Sequence, residues 1–336
     1  MILFQNGEKF TESKYKLESE FEQEIVNSHK QFFGQKTIFI DAKKKIGSTA
    51  LGNTIPDGFL FDMSDPENRE FYLVEVELAS HDFYTHIFPQ ITKFFAFFKN
   101  SKRQRELVEK MFSTINNDQE LKMQFKKYLG EKEIFKFLND VVDSSQNILV
   151  VIDDAKPELP DIMDTYSDTW GKMVKIITIK QFTSNGDAIF SVSPEFDAIE
   201  YSDPLTGTST DPEPTGVSEE FHLEGVDDTV KEIYRTIKDR MLQVKPSLIF
   251  NVAKYYISIK DKKAFAYIYF RKRKIQIVAM LPEEQIREHL QHHSIRPLSQ
   301  SVQNYYNGEG ARIDIKDAEH LDEIIKMLEV TMQSNS

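Results

Sequence analysis

Residues 191–220 form a segment that cannot contribute much to a packed core, and this segment divides the chain in two. It holds eight acidic residues, no lysine or arginine, and four of the 12 prolines, with serine, threonine and glycine between them. This composition is typical of exposed linkers. We therefore predict two folded domains, residues 1–190 and 221–336, joined by an acidic linker.

The composition of the whole chain indicates a folded protein. Of the 336 residues 40% are hydrophobic, and 26 Phe and 13 Tyr are present, more aromatic residues than disordered chains use. The chain has no cysteine, which excludes disulfides, thiol nucleophiles and sulfur-ligated zinc and fits a reducing compartment. The sequence has no apolar run as long as the roughly 18 residues of a membrane span. We expect a cytoplasmic protein without a membrane partner.

The order of helical and strand-like segments predicts a mixed α/β fold for the first domain. Amphipathic helices are expected over residues 15–33, 82–98 and within 103–142, and strands over 37–41, 56–62, 71–78, 148–152 and 174–179. The second domain begins with a helix over 226–241, and three successive strands follow between residues 255 and 280. This pattern predicts a smaller α+β domain with an antiparallel sheet.

Two neighbouring strands of the first domain carry a group of acidic side chains. Alternation along the strand over residues 71–78 places Glu75 and Glu77 on one face and the valines between them on the other. If this strand pairs with the preceding one as a hairpin, Asp57 lies opposite Glu75, with Cβ atoms about 5 Å apart. A slip of two residues would keep all three acids on the same face.

Three carboxylates on one half-buried face would repel one another and lose hydration, unless they shared protons or a cation. A divalent cation relieves both effects, and hard oxygen ligands favour Mg²⁺ or Mn²⁺. Such an ion can activate water and stabilise the charge that develops in phosphodiester cleavage. The alternative is an edge hairpin whose acids face solvent.

These residues resemble the PD-(D/E)xK nuclease superfamily, which has the restriction-endonuclease-like fold. Pro56 and Asp57 match its PD, Glu75 its second acid, Gln90 the glutamine of one branch, and Glu22 the upstream acid of that branch, with Glu18 as a neighbouring candidate. The resemblance covers roughly residues 12–195. It implies a mixed sheet flanked by helices, Mg²⁺ (or Mn²⁺) at Asp57 and Glu75, and hydrolysis of DNA phosphodiesters in bacterial restriction or defence against foreign DNA. Glu77 is an additional acid that would assist these ligands or bind a second ion.

Glu77 departs from the superfamily pattern, because a lysine is expected at this position to orient the attacking water and offset charge. Lys93, three residues after Gln90 on the same helical face, is the natural substitute; further candidates are Lys43, Lys44 and Lys45. The alternative is a catalytically inactive module of the same fold that binds nucleic acid or a protein partner. Nucleases of this fold often dimerise, which leaves a homodimer open.

Two basic clusters are candidate DNA contacts. They are Lys99, Lys102 and Arg103 after the aromatic helix, and Arg271, Lys272 and Arg273 at a predicted hairpin turn. Cations at a helix C-terminus and at a solvated hairpin tip also occur without a ligand. His81 and His86 flank the carboxylate strand and are further candidates for the site, whereas His289, His292 and His293 are expected in a loop.

The second domain resembles an uncharacterised bacterial domain that has been labelled a predicted transport protein. The matching segments are VDDTVKEIYRTIKDRM and AKYYISIKDKKAFAYIYFRKRKIQIVAM. A transport role does not fit a chain without a membrane span. The resemblance instead implies a recognition or assembly module attached to a nuclease.

Overall fold

A computed structural model describes residues 1–46, 55–156, 159, 173–199, 218–253 and 255–335. The described residues fall into two compact units, residues 1–199 and residues 218–335. Among them, no helix has the length and apolar character needed to span a bilayer. Each unit is built around its own sheet.

The first unit contains a mixed eight-stranded sheet in the order β1-β2-β7-β6-β5-β4-β3, with β8 paired to β7. The strands are β1 Ile2–Gln5, β2 Glu8–Ser13, β3 Thr37–Asp41, β4 Gly58–Asp62, β5 Glu70–Glu77, β6 Asn147–Ile152, β7 Val174–Ser184 and β8 Asp187–Ser193. Strands β5, β6 and β7 are parallel, and the other pairs are antiparallel. The predicted mixed α/β fold is therefore confirmed.

The helices of the first unit accompany this sheet. They are α1 Glu18–Phe33, α2 Ala42–Lys45, α3 Phe88–Phe98, α4 Ser101–Asn117, α5 Gln119–Leu129 and α6 Ile134–Ser145. The aromatic helix predicted from residue 82 instead opens with a π-helical turn, Phe83–Ile87. Residues 103–142 contain parts of three helices, because the side chain of Asp118 accepts a hydrogen bond from Leu121 N at 3.0 Å and begins a new helix there.

The β4–β5 hairpin has the predicted register. Phe59 pairs with Leu73 and Phe61 pairs with Phe71. Helix α1 covers one face of this part of the sheet, where Phe21 and Ile25 pack in the same core cluster as Val74 and Val76 of β5. Because side chains alternate along a strand, Glu75 and Glu77 lie on the other face.

The first unit extends beyond the boundary that composition predicts. Residues 187–193 form β8, and a 3₁₀ turn follows at Phe196–Ala198. Phe196 and Ile199 are buried in the core that contains α1. Burial of two large apolar side chains outweighs the acidic composition around them. Of the predicted linker, residues 200–217 lie outside the described residues.

The second unit has a six-stranded antiparallel sheet in the order β13-β14-β12-β11-β10-β9, which confirms the predicted α+β domain. The strands are β9 Ile249–Val252, β10 Ile257–Lys260, β11 Ala264–Arg271, β12 Lys274–Ala279, β13 Ser294–Pro297 and β14 Ala311–Ile315. The helices are α7 Glu219–Leu223, α8 Asp228–Val244, α9 Glu283–His289, α10 Gln300–Tyr306 and α11 Leu321–Ser334. Strands β9 and β13 and helices α7 and α10 were not predicted. Residues of α8 and α11 share one core cluster with the sheet.

Candidate metal centre

The three predicted acids lie together at one end of the β4–β5 hairpin, and all three are buried. Asp57 is 6% exposed, and Glu75 and Glu77 are each 4% exposed. Asp57 precedes β4 and is held there by its main chain, because its N–H donates to Val74 O at 3.0 Å. Its Oδ2 accepts a hydrogen bond from Val76 N at 2.6 Å. The hairpin therefore fixes both the backbone and the carboxylate of Asp57.

A lysine from the short helix after β3 provides positive charge in this cluster. The ammonium of Lys43, in α2, forms an ion pair with Asp57 and lies 2.9 Å from Glu22 Oε1 on α1. Helix α2 directly follows β3, where the side chain of Asp41 accepts from Lys44 N at 2.9 Å and caps it. Burial lowers the pKa of Lys43, but the carboxylates of Asp57 and Glu22 raise it by more, so this lysine stays charged.

Glu75 is the least compensated member of the cluster. Its Oε2 is buried and has no hydrogen-bond partner among the described residues. Burial, followed by the charges of Asp57 and Glu77, raises the pKa of Glu75 well above its ordinary value. A buried carboxylate oxygen without a donor costs free energy, so the fold keeps an oxygen here that a cation or a proton would stabilise.

Two further carboxyl groups show the same excess of negative charge. Burial raises the pKa of Asp57 to about 7, although the ammonium of Lys43 opposes this shift. Burial also raises the pKa of Glu18, with further contributions from the charge of Glu77 and a hydrogen bond to Glu22. The acids of α1 and β5, together with Asp57 before β4, thus outnumber the cation that Lys43 supplies.

The cluster continues from Glu77 into the loop that follows β5. His81 Nδ1 lies 2.7 Å from Glu77 Oε2 and 3.2 Å from Glu18 Oε2. The ring of His86, in the π-helical turn, lies beside the ring of His81 with a centroid separation of 5.0 Å. The two histidines that flank the strand therefore lie at the edge of the carboxylate cluster.

Residues after β6 hold this loop in place. Ala79 N donates to Asp153 Oδ1 at 2.7 Å, and Lys156 Nζ donates to Ala79 O at 3.0 Å and to His81 O at 2.6 Å. Neither Asp153 nor Lys156 was predicted. A signal was present, since both follow a buried strand that is parallel to β5, and the carboxyl ends of neighbouring parallel strands meet at one sheet edge.

The other predicted residues are more dispersed. Gln90 is half-buried on α3, whereas Lys93 is exposed and forms no ion pair with any of the described residues. Lys99, Lys102 and Arg103 are exposed where α3 meets α4. In the second unit Arg271, Lys272 and Arg273 occupy the predicted hairpin turn between β11 and β12, with Arg273 exposed.

The carboxylates at the β4–β5 hairpin offer the type of ligand that a hard divalent cation prefers. Asp57, Glu75 and Glu77 offer carboxylate oxygens, and the buried Glu75 Oε2 has no other partner among the described residues. Oxygen ligands of this kind suit Mg²⁺ or Mn²⁺. The observation that supports the fit is the orphaned oxygen together with the raised pKa values of Glu75 itself and of Asp57.

A second histidine group lies in the C-terminal unit. His292 Nδ1 is 2.6 Å from Glu323 Oε1, and the His292 and His320 rings stack at 3.7 Å. These three residues offer ligand atoms at metal-binding separation. Glu323 also accepts hydrogen bonds from the backbone N–H groups of Gln291 and His292 at 2.8 and 3.3 Å. The carboxylate therefore has a structural role in joining α11 to the loop after α9.

Comparison with known proteins informs only the C-terminal unit. A family model described as a domain of unknown function (DUF5655) matches residues 219–335. No curated protein matches the chain, and no solved structure matches it. The matched segment coincides with the second compact unit, which supports its interpretation as a separate module.

Proposed function

We propose that the first unit is a Mg²⁺-dependent nuclease that hydrolyses phosphodiester bonds of DNA. The observation that carries the proposal is the buried Glu75 Oε2, which has no hydrogen-bond partner among the described residues and lies in a cluster with Asp57 and Glu77. The motif order of Glu22, Asp57, Glu75 and Gln90, which resembles PD-(D/E)xK nucleases, supports the same reaction.

The chain's own residues have distinct roles in this proposal. Asp57 and Glu75 would hold the cation, and Glu77 would complete the oxygen ligands. A bound Mg²⁺ supplies an activated water and stabilises negative charge on the phosphate. Lys43 takes the place of the motif lysine that Glu77 replaces, because its ammonium already lies against Asp57 and Glu22. Gln90 and Glu22 would orient the attacking water.

The partner in this proposal is DNA, and the setting is the cytoplasm. The exposed side chains of Lys99, Lys102 and Arg103 offer positive charge for phosphate groups. The absence of cysteine agrees with a reducing compartment. The second unit would act as a recognition or assembly module, and a homodimer would allow both strands to be cut. Restriction or defence against foreign DNA is the biological role that fits these features.

A cleavage assay tests the proposal. Purified protein is incubated with supercoiled plasmid, single-stranded DNA and RNA in Mg²⁺, in Mn²⁺ and in EDTA. We expect plasmid cleavage that requires the metal and that falls at least about 100-fold in Asp57→Asn and Glu75→Gln, since each removes a ligand. Lys43→Met should also reduce cleavage. The matched controls are Glu109→Gln, an exposed acid on α4, and Lys44→Met, which neighbours Lys43; both should retain wild-type activity.

Glu77 supports a second candidate function, because it occupies the position at which PD-(D/E)xK nucleases have their motif lysine. The second candidate is an inactive nuclease fold that binds nucleic acid or a protein partner. Absence of cleavage for every substrate and metal, together with DNA binding that persists in EDTA and weakens with salt, would favour this candidate. Cleavage that survives in both acid variants would contradict the metal centre itself.

A further inference from the structure

We infer that Glu77, His81 and His86 form a second cation site, distinct in chemistry from the carboxylate site, that selects a divalent transition metal such as Zn²⁺ over Mg²⁺. This inference goes beyond the proposed nuclease activity, since metal binding at this site requires no catalysis. It rests on three observations: the separation of the ligand atoms, the local backbone, and the contacts that hold the loop.

The three side chains can place one ligand atom each around a common point. Their ligand atoms all lie within 4.8 Å of one another, and Glu77 Oε2 lies 2.7 Å from His81 Nδ1. Burial is graded across the site, because Glu77 is buried, His81 is half-buried and His86 is exposed. One side of the site is therefore open to solvent, as in metal sites that keep a position for water or another ligand.

The backbone between the two histidines has the rare geometry that brings their rings together. His86 belongs to the π-helical turn Phe83–Ile87, and such turns are rare and frequently occur at functional sites. Asp82 fixes the start of the turn, because its Oδ1 accepts hydrogen bonds from Thr85 N at 2.9 Å and Thr85 Oγ1 at 3.0 Å. The His86 ring is thereby held beside the His81 ring.

A second layer of contacts fixes the loop that carries His81. Asp153 accepts from Ala79 N, and the buried Lys156 donates to the carbonyl groups of Ala79 and His81. These contacts hold the main chain that carries His81, so they limit how far its ring can move from Glu77. Lys156 is 8% exposed, so its ammonium is committed to this loop rather than to solvent.

The ligand types decide which cation the site prefers. Two imidazoles and one carboxylate suit Zn²⁺ and neighbouring transition metals, whereas Mg²⁺ prefers oxygen ligands alone. The carboxylate site formed by Asp57 and Glu75 has the opposite preference. Glu77 is shared between the two sets of residues and would link the two sites.

Metal titration of the full-length chain, without a histidine tag, tests this inference. Zn²⁺ binding is measured by calorimetry, and Co²⁺ binding by its visible absorption, which the cysteine-free chain can produce only through nitrogen and oxygen ligands. We expect His81→Ala and His86→Ala each to weaken Zn²⁺ binding at this site at least about tenfold. Excess Mg²⁺ should not displace the Zn²⁺.

Two control variants separate this site from the rest of the protein. His289→Ala, a histidine at the end of α9 outside both metal-binding groups, should bind Zn²⁺ as the wild type does. His292→Ala removes any contribution from the His292, His320 and Glu323 group and should leave the first site intact. Wild-type Zn²⁺ affinity and stoichiometry in both His81→Ala and His86→Ala would overturn the inference.

The variant with both Asp57→Asn and Glu75→Gln distinguishes failure of this inference from failure of the proposed function. It should keep Zn²⁺ binding at the histidine site and lose Mg²⁺-dependent cleavage. If no protein cleaves DNA but His86→Ala still loses Zn²⁺, only the nuclease proposal fails. If cleavage is found and Zn²⁺ binding does not depend on His81 or His86, only the second site fails.

Discussion

Glu75 is a buried residue with negatively charged neighbours and a carboxylate oxygen that has no hydrogen-bond partner among the described residues. We therefore expect its side chain to destabilise the folded protein when no metal is bound. Glu75→Gln removes the charge and keeps the shape. We expect this change to stabilise the protein in EDTA by roughly 1–3 kcal/mol, because a neutral amide costs less to bury than a carboxylate and can donate to neighbouring acids. Urea unfolding measures the change.

The matched change Glu109→Gln, on the exposed face of α4, should alter stability by less than about 0.5 kcal/mol. Mg²⁺ at saturating concentration should reverse the order, because the wild type gains binding free energy that Glu75→Gln cannot. A Glu75→Gln protein that is less stable than the wild type in EDTA would show that the carboxylate is well compensated.

Asp57 makes the stability of the metal-free protein depend on pH. Its pKa is raised to about 7 by burial, so the folded state binds this proton more tightly than the unfolded state. The stabilisation that this bound proton gives the folded state is therefore complete below about pH 4, and it is lost as the pH rises to about 7. Comparing the wild type with Asp57→Asn in EDTA at pH 5 and pH 8 tests this. Relative to Asp57→Asn, the wild type should be more stable at pH 5 than it is at pH 8.

If the difference between wild type and Asp57→Asn were independent of pH across that range, Asp57 would titrate at its ordinary value. Buffer effects and titrating groups that are distant from Asp57 cancel in this comparison, because both proteins share them. A repeat with saturating Mg²⁺ should reduce the change in this difference between pH 5 and pH 8, since the bound cation displaces the proton from Asp57 in the folded state.

Sequence patterns predicted the three acids but left their counter-charge open between Lys93 and the lysines at positions 43–45. Strand alternation and hairpin register are local properties, so the positions of Asp57, Glu75 and Glu77 followed from the chain itself. The choice between Lys43 and Lys93 depends on how α2 and α3 pack on the sheet, which the spacing of residues does not determine. Asp153 and Lys156 were missed for the same reason, since they reach the loop after β5 from a distant part of the chain.

At the scale of elements, Gly58 allows the start of β4 to pack closely against its neighbour β3. A Cβ atom placed on Gly58 would lie 2.0 Å from Phe39 Cζ, so Gly58→Ala must displace the Phe39 ring or the strand. We expect a loss of about 1–3 kcal/mol in stability and weaker Mg²⁺ binding, because Asp57 is the adjacent residue. Chemical unfolding and metal titration measure the two effects.

Gly308→Ala is the matched control, since its Cβ would lie 3.3 Å from the flexible end of Met280. This substitution should change stability by less than about 1 kcal/mol. Equal effects of the two substitutions would mean that the contact between Gly58 and Phe39 relaxes without cost.

Several elements were missed although the sequence carried a signal for them. Asn6 and Gly7 connect β1 to β2, and Asn185 and Gly186 connect β7 to β8; all four residues have positive φ. An Asn-Gly pair between strand-forming residues is a strong hairpin signal. Composition obscured it in the second case, since β8 runs into the acidic segment. The π-helical turn had no comparable signal, because its sequence also fits an ordinary helix.

At the scale of the whole molecule, the second unit has its own sheet and its own apolar core. We therefore expect residues 218–336, expressed alone, to fold and to unfold in one cooperative urea transition. Circular dichroism and the dispersion of amide proton signals are the measurements. A fragment that unfolds gradually, or that shows no dispersed signals, would mean that its core depends on the rest of the chain.

The β4–β5 hairpin also bears on the order in which the protein folds. The hairpin joins strands that are close in sequence, whereas the pairing of β6 with β5 must close a long loop that contains helices α3 to α6. Local contacts close at a smaller entropic cost than distant ones and tend to form earlier. The acids are thus brought together while water still surrounds them, and they lose hydration only when the parallel strands and helices close over the hairpin. Their repulsion then opposes the last stage of folding, so a cation present in the refolding buffer should accelerate that stage.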